Sequence, residues 1–91
     1  MMQLPKGAGY QARYGDTLTL IITQENEFMS VAVHDTTKGA VEGRVFNGDA
    51  QTVNEAKHLA MNKAKLYLRR VEPVDDVEWL PFGAPTPVTW V

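Results

Sequence analysis

The hydrophobic pattern of this chain changes period near residue 52, and that change constrains the fold more than any other feature. Before it, apolar residues recur at every second position; after it, they recur every three to four. A strand-period block followed by a helix-period block predicts an α+β domain with the strands leading and the helix covering them. The best alternation lies in residues 17–24, where Leu18, Leu20 and Ile22 share one face and Thr17, Thr19, Ile21 and Thr23 the other. β-Branched side chains suit a pleated, half-buried surface. Residues 28–34 repeat the pattern with Met29, Val31 and Val33, after a polar Glu25-Asn26-Glu27 turn. The segment Asp35-Thr36-Thr37-Lys38-Gly39 has the length and glycine position of a hairpin loop, and residues 41–46 complete a third strand. Asn47-Gly48-Asp49 reads as the break that ends the sheet.

Thr52 stands three residues before Glu55, the spacing of a capping box, in which each side chain satisfies a free backbone N–H of the first turn. The helix then runs over residues 53–70, stopping before Pro73 with Arg69 and Arg70 in its last turn, where positive charge suits the dipole. At about 100° per residue, Val53, Ala56, Ala60, Ala64 and Tyr67 fall on one side, and Leu59 and Leu66 lie together at its edge. Three alanines four apart leave the stripe unbulky, so the helix can lie close to a sheet. The predicted architecture is a three-stranded antiparallel sheet packed by one long C-terminal amphipathic helix. The chain divides into a loose arm over residues 1–16, strands over 17–46, the helix over 52–70, and an extended proline-rich aromatic tail over 72–91.

Ninety-one residues make one domain with a small core. There is no cysteine, which excludes disulfides and thiolate metal sites. The net charge of −2 gives no overall attraction to nucleic acid or anionic lipid. No segment has transmembrane length and the first residues lack the apolar core of a signal peptide, so the expected location is cytoplasmic and no membrane partner is expected.

Candidate chemistry is sparse. The only serine, Ser30, shares a strand face with His34, but four residues of strand separate them by ~13 Å, too far for a nucleophile and its base. His34 and His58 lie on different elements with no metal-ligand spacing, and the glycines at 39, 43 and 48 form no phosphate-binding loop. Asp75, Asp76 and Glu78 fall in the tail without rigid support. The sequence therefore points to no catalytic residue, metal or cofactor, and to a protein that is not an enzyme.

Two surfaces remain. The sheet face away from the helix is expected to show Ile21, Phe28, Ala32 and Phe46. Large apolar side chains on an open face need a cover. The tail holds both tryptophans, and Trp79, Phe82 and Trp90 are candidates to supply that cover, in the same chain or in a second copy; Leu59 and Leu66 on the helix edge offer a further surface. Ile21, Phe28, Phe46, Leu59, Leu66, Trp79, Phe82 and Trp90 make the expected interaction surface of a small binding or regulatory module that works through protein contacts as a homodimer or with another protein. The alternative is a nucleic-acid contact through Lys57, His58, Lys63, Lys65 and Arg69 on the helix, which the acidic residues at 72–78 would offset.

The Gly48-Asp49 pair leading to a helix with Glu55-Ala56, then Ala64 and Leu66-Tyr67-Leu68, resembles the HicB type of antitoxin domain over about half the chain. The family's Gly-Asp-Thr is contiguous, whereas two residues separate Asp49 from Thr52 here. What the resemblance implies is the βββα fold.

Overall fold

The computed structural model describes residues 5–15, 17–39, 41–69 and 77–83. It is α+β, with a five-stranded antiparallel sheet and one helix across one face. The strands are β1 (Gly9–Tyr14), β2 (Leu18–Gln24), β3 (Met29–Asp35), β4 (Arg44–Ala50) and β5 (Leu80–Phe82), and α1 (Val53–Leu68) lies between β4 and β5 in the chain. The sheet order β4-β3-β2-β1-β5 makes the first four strands a meander, with the tail returning to pair outside β1.

The predicted central strands and the helix stand where the periodicities put them. Leu18, Leu20 and Ile22 of β2 and Met29, Val31 and Val33 of β3 are buried against Ala56, Ala60 and Ala64 of α1. The alanine stripe lets the helix approach the sheet, so the core consists of the sheet's large side chains meeting a nearly flat helix surface.

Two further strands correct the three-strand expectation. Residues 1–16 are not simply a loose arm, because 9–14 form β1 and pair along β2 from Gly9↔Thr23 to Tyr14↔Leu18. The alternation is present, with Tyr10, Ala12 and Tyr14 towards the helix, but Gly9 and Ala12 dilute it below recognition. In the tail, Leu80, Pro81 and Phe82 pair with Gln11, Tyr10 and Gly9. Proline is tolerated there because β5 is an edge strand.

The Asn47-Gly48-Asp49 segment is not a break. Its residues pair with Ala32, Val31 and Ser30, and the fourth strand runs over 44–50, not 41–46. Gly48 faces the helix side opposite Val31, and the Phe46 ring fills the space beside it: a Cβ at position 48 would come within 2.5 Å of that ring. A register shift between Val33 and His34 accommodates Val45 as an extra residue. That bulge turns Phe46 to the helix side opposite Val33, correcting its expected place on the open face. Val41, at the start of the expected third strand, lies in the preceding turn and is 80% exposed.

Candidate interaction surfaces

The capping box forms in a shifted version. Thr52 Oγ1 accepts the Glu55 N–H at 3.1 Å, and Glu55 Oε1 accepts the Gln51 N–H, not that of Thr52, at 3.0 Å. The helix closes with Arg69 in the left-handed region, φ 55° and ψ 38°, its N–H donating to the carbonyls of Leu66 and Lys65. These two ends fix where the helical side chains point.

The flanks of the helix are occupied by cations lying on aromatic rings. Lys57 Nζ is 4.6 Å from the centre of the Tyr10 ring and 5.6 Å from that of Trp79. Lys63 Nζ is 5.1 Å from the centre of the Phe46 ring. At about 100° per residue, Lys57 and Lys63 sit roughly 60° to either side of the buried stripe. One faces the β1–β5 side and the other β4. The five residues considered for nucleic acid thus do not converge: Lys57 and Lys63 rest on rings on opposite flanks, and His58, Lys65 and Arg69 share the outward arc.

The open face of the sheet is more polar than expected. Around Ile21 stand its neighbours Gln11 and Ala32, with Thr19, Thr23, Ser30, His34, Asn47 and Asp49 on the same face by register. Ser30 lies opposite Thr23 and Asp49, and His34 opposite Thr19 and Arg44, so the two are separate cross-strand neighbours. Apolar surface gathers at the β5 side, where Leu80 is 52% exposed and Phe82 half-buried. A depression of about 450 Å³ there is lined by Gln11, Ala12, Arg13, Thr19, Glu78 and Leu80. Phe28 is half-buried at the turn before β3. Trp79 packs against the core on the helix side with Val77, so the start of the tail covers its own domain. Trp90, Arg70, Asp75 and Asp76 lie outside the described residues.

The second apolar surface is the margin between β4 and α1. Val45, Phe46, Lys63, Leu66 and Tyr67 line a shallow depression of about 340 Å³. Leu66 is 70% exposed there, whereas Leu59, one heptad earlier, packs against the core. Tyr67 at this margin donates from its hydroxyl to Asp35 Oδ2 at 2.7 Å, tying the end of α1 to the end of β3. Asp35 Oδ1 accepts from the N–H and hydroxyl of Thr37 at 2.9 and 2.6 Å. The Thr37 hydroxyl bond, then the Tyr67 and Thr37 N–H bonds, lower the Asp35 pKa from 3.8 to about 2. The same Asp35 raises Tyr67 above its ordinary 10.0. Sequence reasoning missed this pair because 32 residues separate its members and neither lies in a recognisable spacing.

Among the described residues no group of three or more histidine, aspartate or glutamate side chains is placed to hold a metal ion, and no helix is long and apolar enough to cross a membrane. Comparison of the chain with models of known protein families, with curated proteins and with solved structures finds no match.

Proposed function

We propose that this chain is a small non-enzymatic binding module that acts through protein contacts and works as a homodimer. The observation that carries this reading is the β4–α1 margin. There an exposed Leu66 and the half-buried Val45 and Phe46 adjoin a sheet edge that no described strand pairs. Apolar groups beside unpaired backbone are what a partner strand covers. The open face, with mostly polar side chains around Ile21, offers a partner less apolar contact.

Mass measured by light scattering across a concentration series tests the reading. A chain of 10.1 kDa should give twice that mass at high concentration and fall towards 10.1 kDa on dilution. A mass of 10.1 kDa at every concentration overturns it. Nucleic-acid binding through the helix is the alternative, and its support narrows to His58, Lys65 and Arg69 on the outward arc. Salt-dependent binding of DNA or RNA, reduced when those three are replaced by alanine, would favour it.

A further inference from the structure

The two edges of the sheet are not alike. β5 is three residues long with Pro81 at its centre, a length and composition that discourage further pairing. β4 has seven residues, Arg44–Ala50, and contains neither proline nor lysine. Its one irregularity, the bulge at Val45, sits near the Arg44 end and leaves residues 46–50 regular. The register places Arg44 opposite His34 and Asp49 opposite Ser30, so both charged side chains of β4 project from the open face, one near each end of the strand. Phe46, Gly48 and Ala50 face the helix side, where Val45 at the bulge also packs against the core.

We infer that β4 is the homodimer seam, pairing antiparallel with β4 of a second copy across a two-fold axis through Asn47 to make one continuous ten-stranded sheet. This inference rests on the homodimer reading above and names its interface. An antiparallel copy reverses the strand, so the positive end of one meets the negative end of the other. With Asn47 on the axis, Phe46 lies opposite Gly48 of the partner subunit, and Val45 opposite Asp49 of the partner subunit. Arg44, one residue further along, comes within reach of that carboxylate, and the two-fold axis makes the contact twice. On the helix side the space over each Gly48 is filled by the Phe46 ring of its own chain, so the two rings flank the axis. Val45, Phe46 and Leu66 of both copies then border the seam on that side and lose their exposure together. The charge pattern selects the occupant: a single strand carrying opposite charges near its two ends, on one face, is complementary to itself in this orientation.

The test uses charge reversal at two exposed positions in the full chain, with circular dichroism to verify the fold. Arg44→Asp sets two aspartates against each other at each end of the seam, and Asp49→Arg sets two arginines. Each single variant should weaken the dimer about tenfold or more in sedimentation equilibrium at low salt. The double variant R44D/D49R restores opposite charges and should return to within about threefold of the wild type. An equimolar mixture of the two single variants should form heterodimers, since every contact in that pair joins opposite charges. A wild type that dimerises while both single variants dimerise as tightly overturns the seam and leaves the homodimer reading standing. A wild type that is monomeric at every concentration overturns both. Protection of β4 amides from exchange in such a monomer would give the edge to another segment of the same chain.

Discussion

Replacing Gly9 by alanine tests the architecture at the point where it departs most from a simple three-stranded sheet. Gly9 is buried in β1 opposite Thr23, and a Cβ there would lie 1.8 Å from the carbonyl oxygen of Ile22, 2.8 Å from its carbon and 2.9 Å from Thr23 Cα. Real Cβ contacts essentially never fall under 3.0 Å, and 3.0 less 1.8 leaves 1.2 Å that the strands must move apart. The obstacles are backbone atoms, so no rotamer change relieves them. A shift of that size stretches the neighbouring bonds from Gly7 N–H to Gln24 O at 2.8 Å and from Gln24 N–H to Ala8 O at 2.7 Å beyond useful length. Two lost backbone bonds at about 1 kcal/mol each, plus residual strain, give a cost of about 2–3 kcal/mol. For a domain of this size that lowers the melting temperature by roughly 10–20 °C. Gly7→Ala is the control, because nothing lies within 4 Å of its Cβ position and only its φ of +90° resists a side chain. It should cost about 1–2 kcal/mol from that backbone strain alone. Thermal melts followed by circular dichroism measure both. A Gly9→Ala protein melting within a degree of the wild type would return residues 9–14 to a loose arm and refute the β1 pairing.

Thr52→Ala should cost about 1 kcal/mol, read as a shift in the urea midpoint. Adding Glu55→Ala should cost less than the two single effects combined, because both residues hold the first turn of α1. Arg69→Gly should stabilise by about 0.5–1 kcal/mol, since glycine occupies the left-handed cap without the penalty of a Cβ; a lower melting temperature would count against that cap geometry. The Asp35–Tyr67 pair predicts pH dependence of both signs. The folded Asp35 value of about 2 lies below the ordinary 3.8, so its stabilisation is complete above pH 3.8 and is lost as pH falls through about 2. Tyr67 is raised above 10.0, so its stabilisation is complete below pH 10 and is lost as pH rises past it. In Tyr67→Phe the alkaline loss should vanish and the acid loss should shrink without disappearing, since the larger Thr37 contribution stays; urea midpoints from pH 2 to 11 give the comparison.

The elements legible in the sequence are those whose periodicity is carried by large side chains. β2, β3 and α1 each offer three or more inward residues of uniform character, and their positions follow from that. β1 and β4 use small residues at inward positions: Ala12 in β1, Gly48 and Ala50 in β4. Their hydrophobic signal is weak although each pairs along a full neighbouring strand. The composition of Asn47-Gly48-Asp49 is that of a turn, and a turn would follow if nothing filled the space at Gly48. The ring of Phe46 two residues earlier fills it, a contact on the strand itself that composition alone does not display. β5 is hidden for another reason: three residues centred on a proline become a strand only because β1 offers an edge, and β1 was itself obscured.

That chain of dependence decides what could be read of the candidate interaction surface. Taking Asn47-Gly48-Asp49 for a turn ends the sheet one residue after the bulge and puts Phe46 on the open face, where it would reinforce Ile21 as an apolar patch. With the strand extended to Ala50, Phe46 moves to the helix side, the open face becomes mostly polar, and the unsatisfied surface relocates to the β4 edge. The same shift changes the meaning of the basic helix. Lys63 lies over Phe46 because Phe46 faces α1, and Lys57 lies over Tyr10 and Trp79 because β1 and the start of the tail occupy that flank. Two cations that the helix's net charge alone assigns to a phosphate-facing surface thus close the margins of the core with their side chains on rings. Their neighbours His58, Lys65 and Arg69 are left as an outward cluster without that pair. The charges of β4 are placed differently: Arg44 and Asp49 project from an edge strand on one face, in an order that a reversed copy complements, and that difference is what supports the proposed protein partner over nucleic acid.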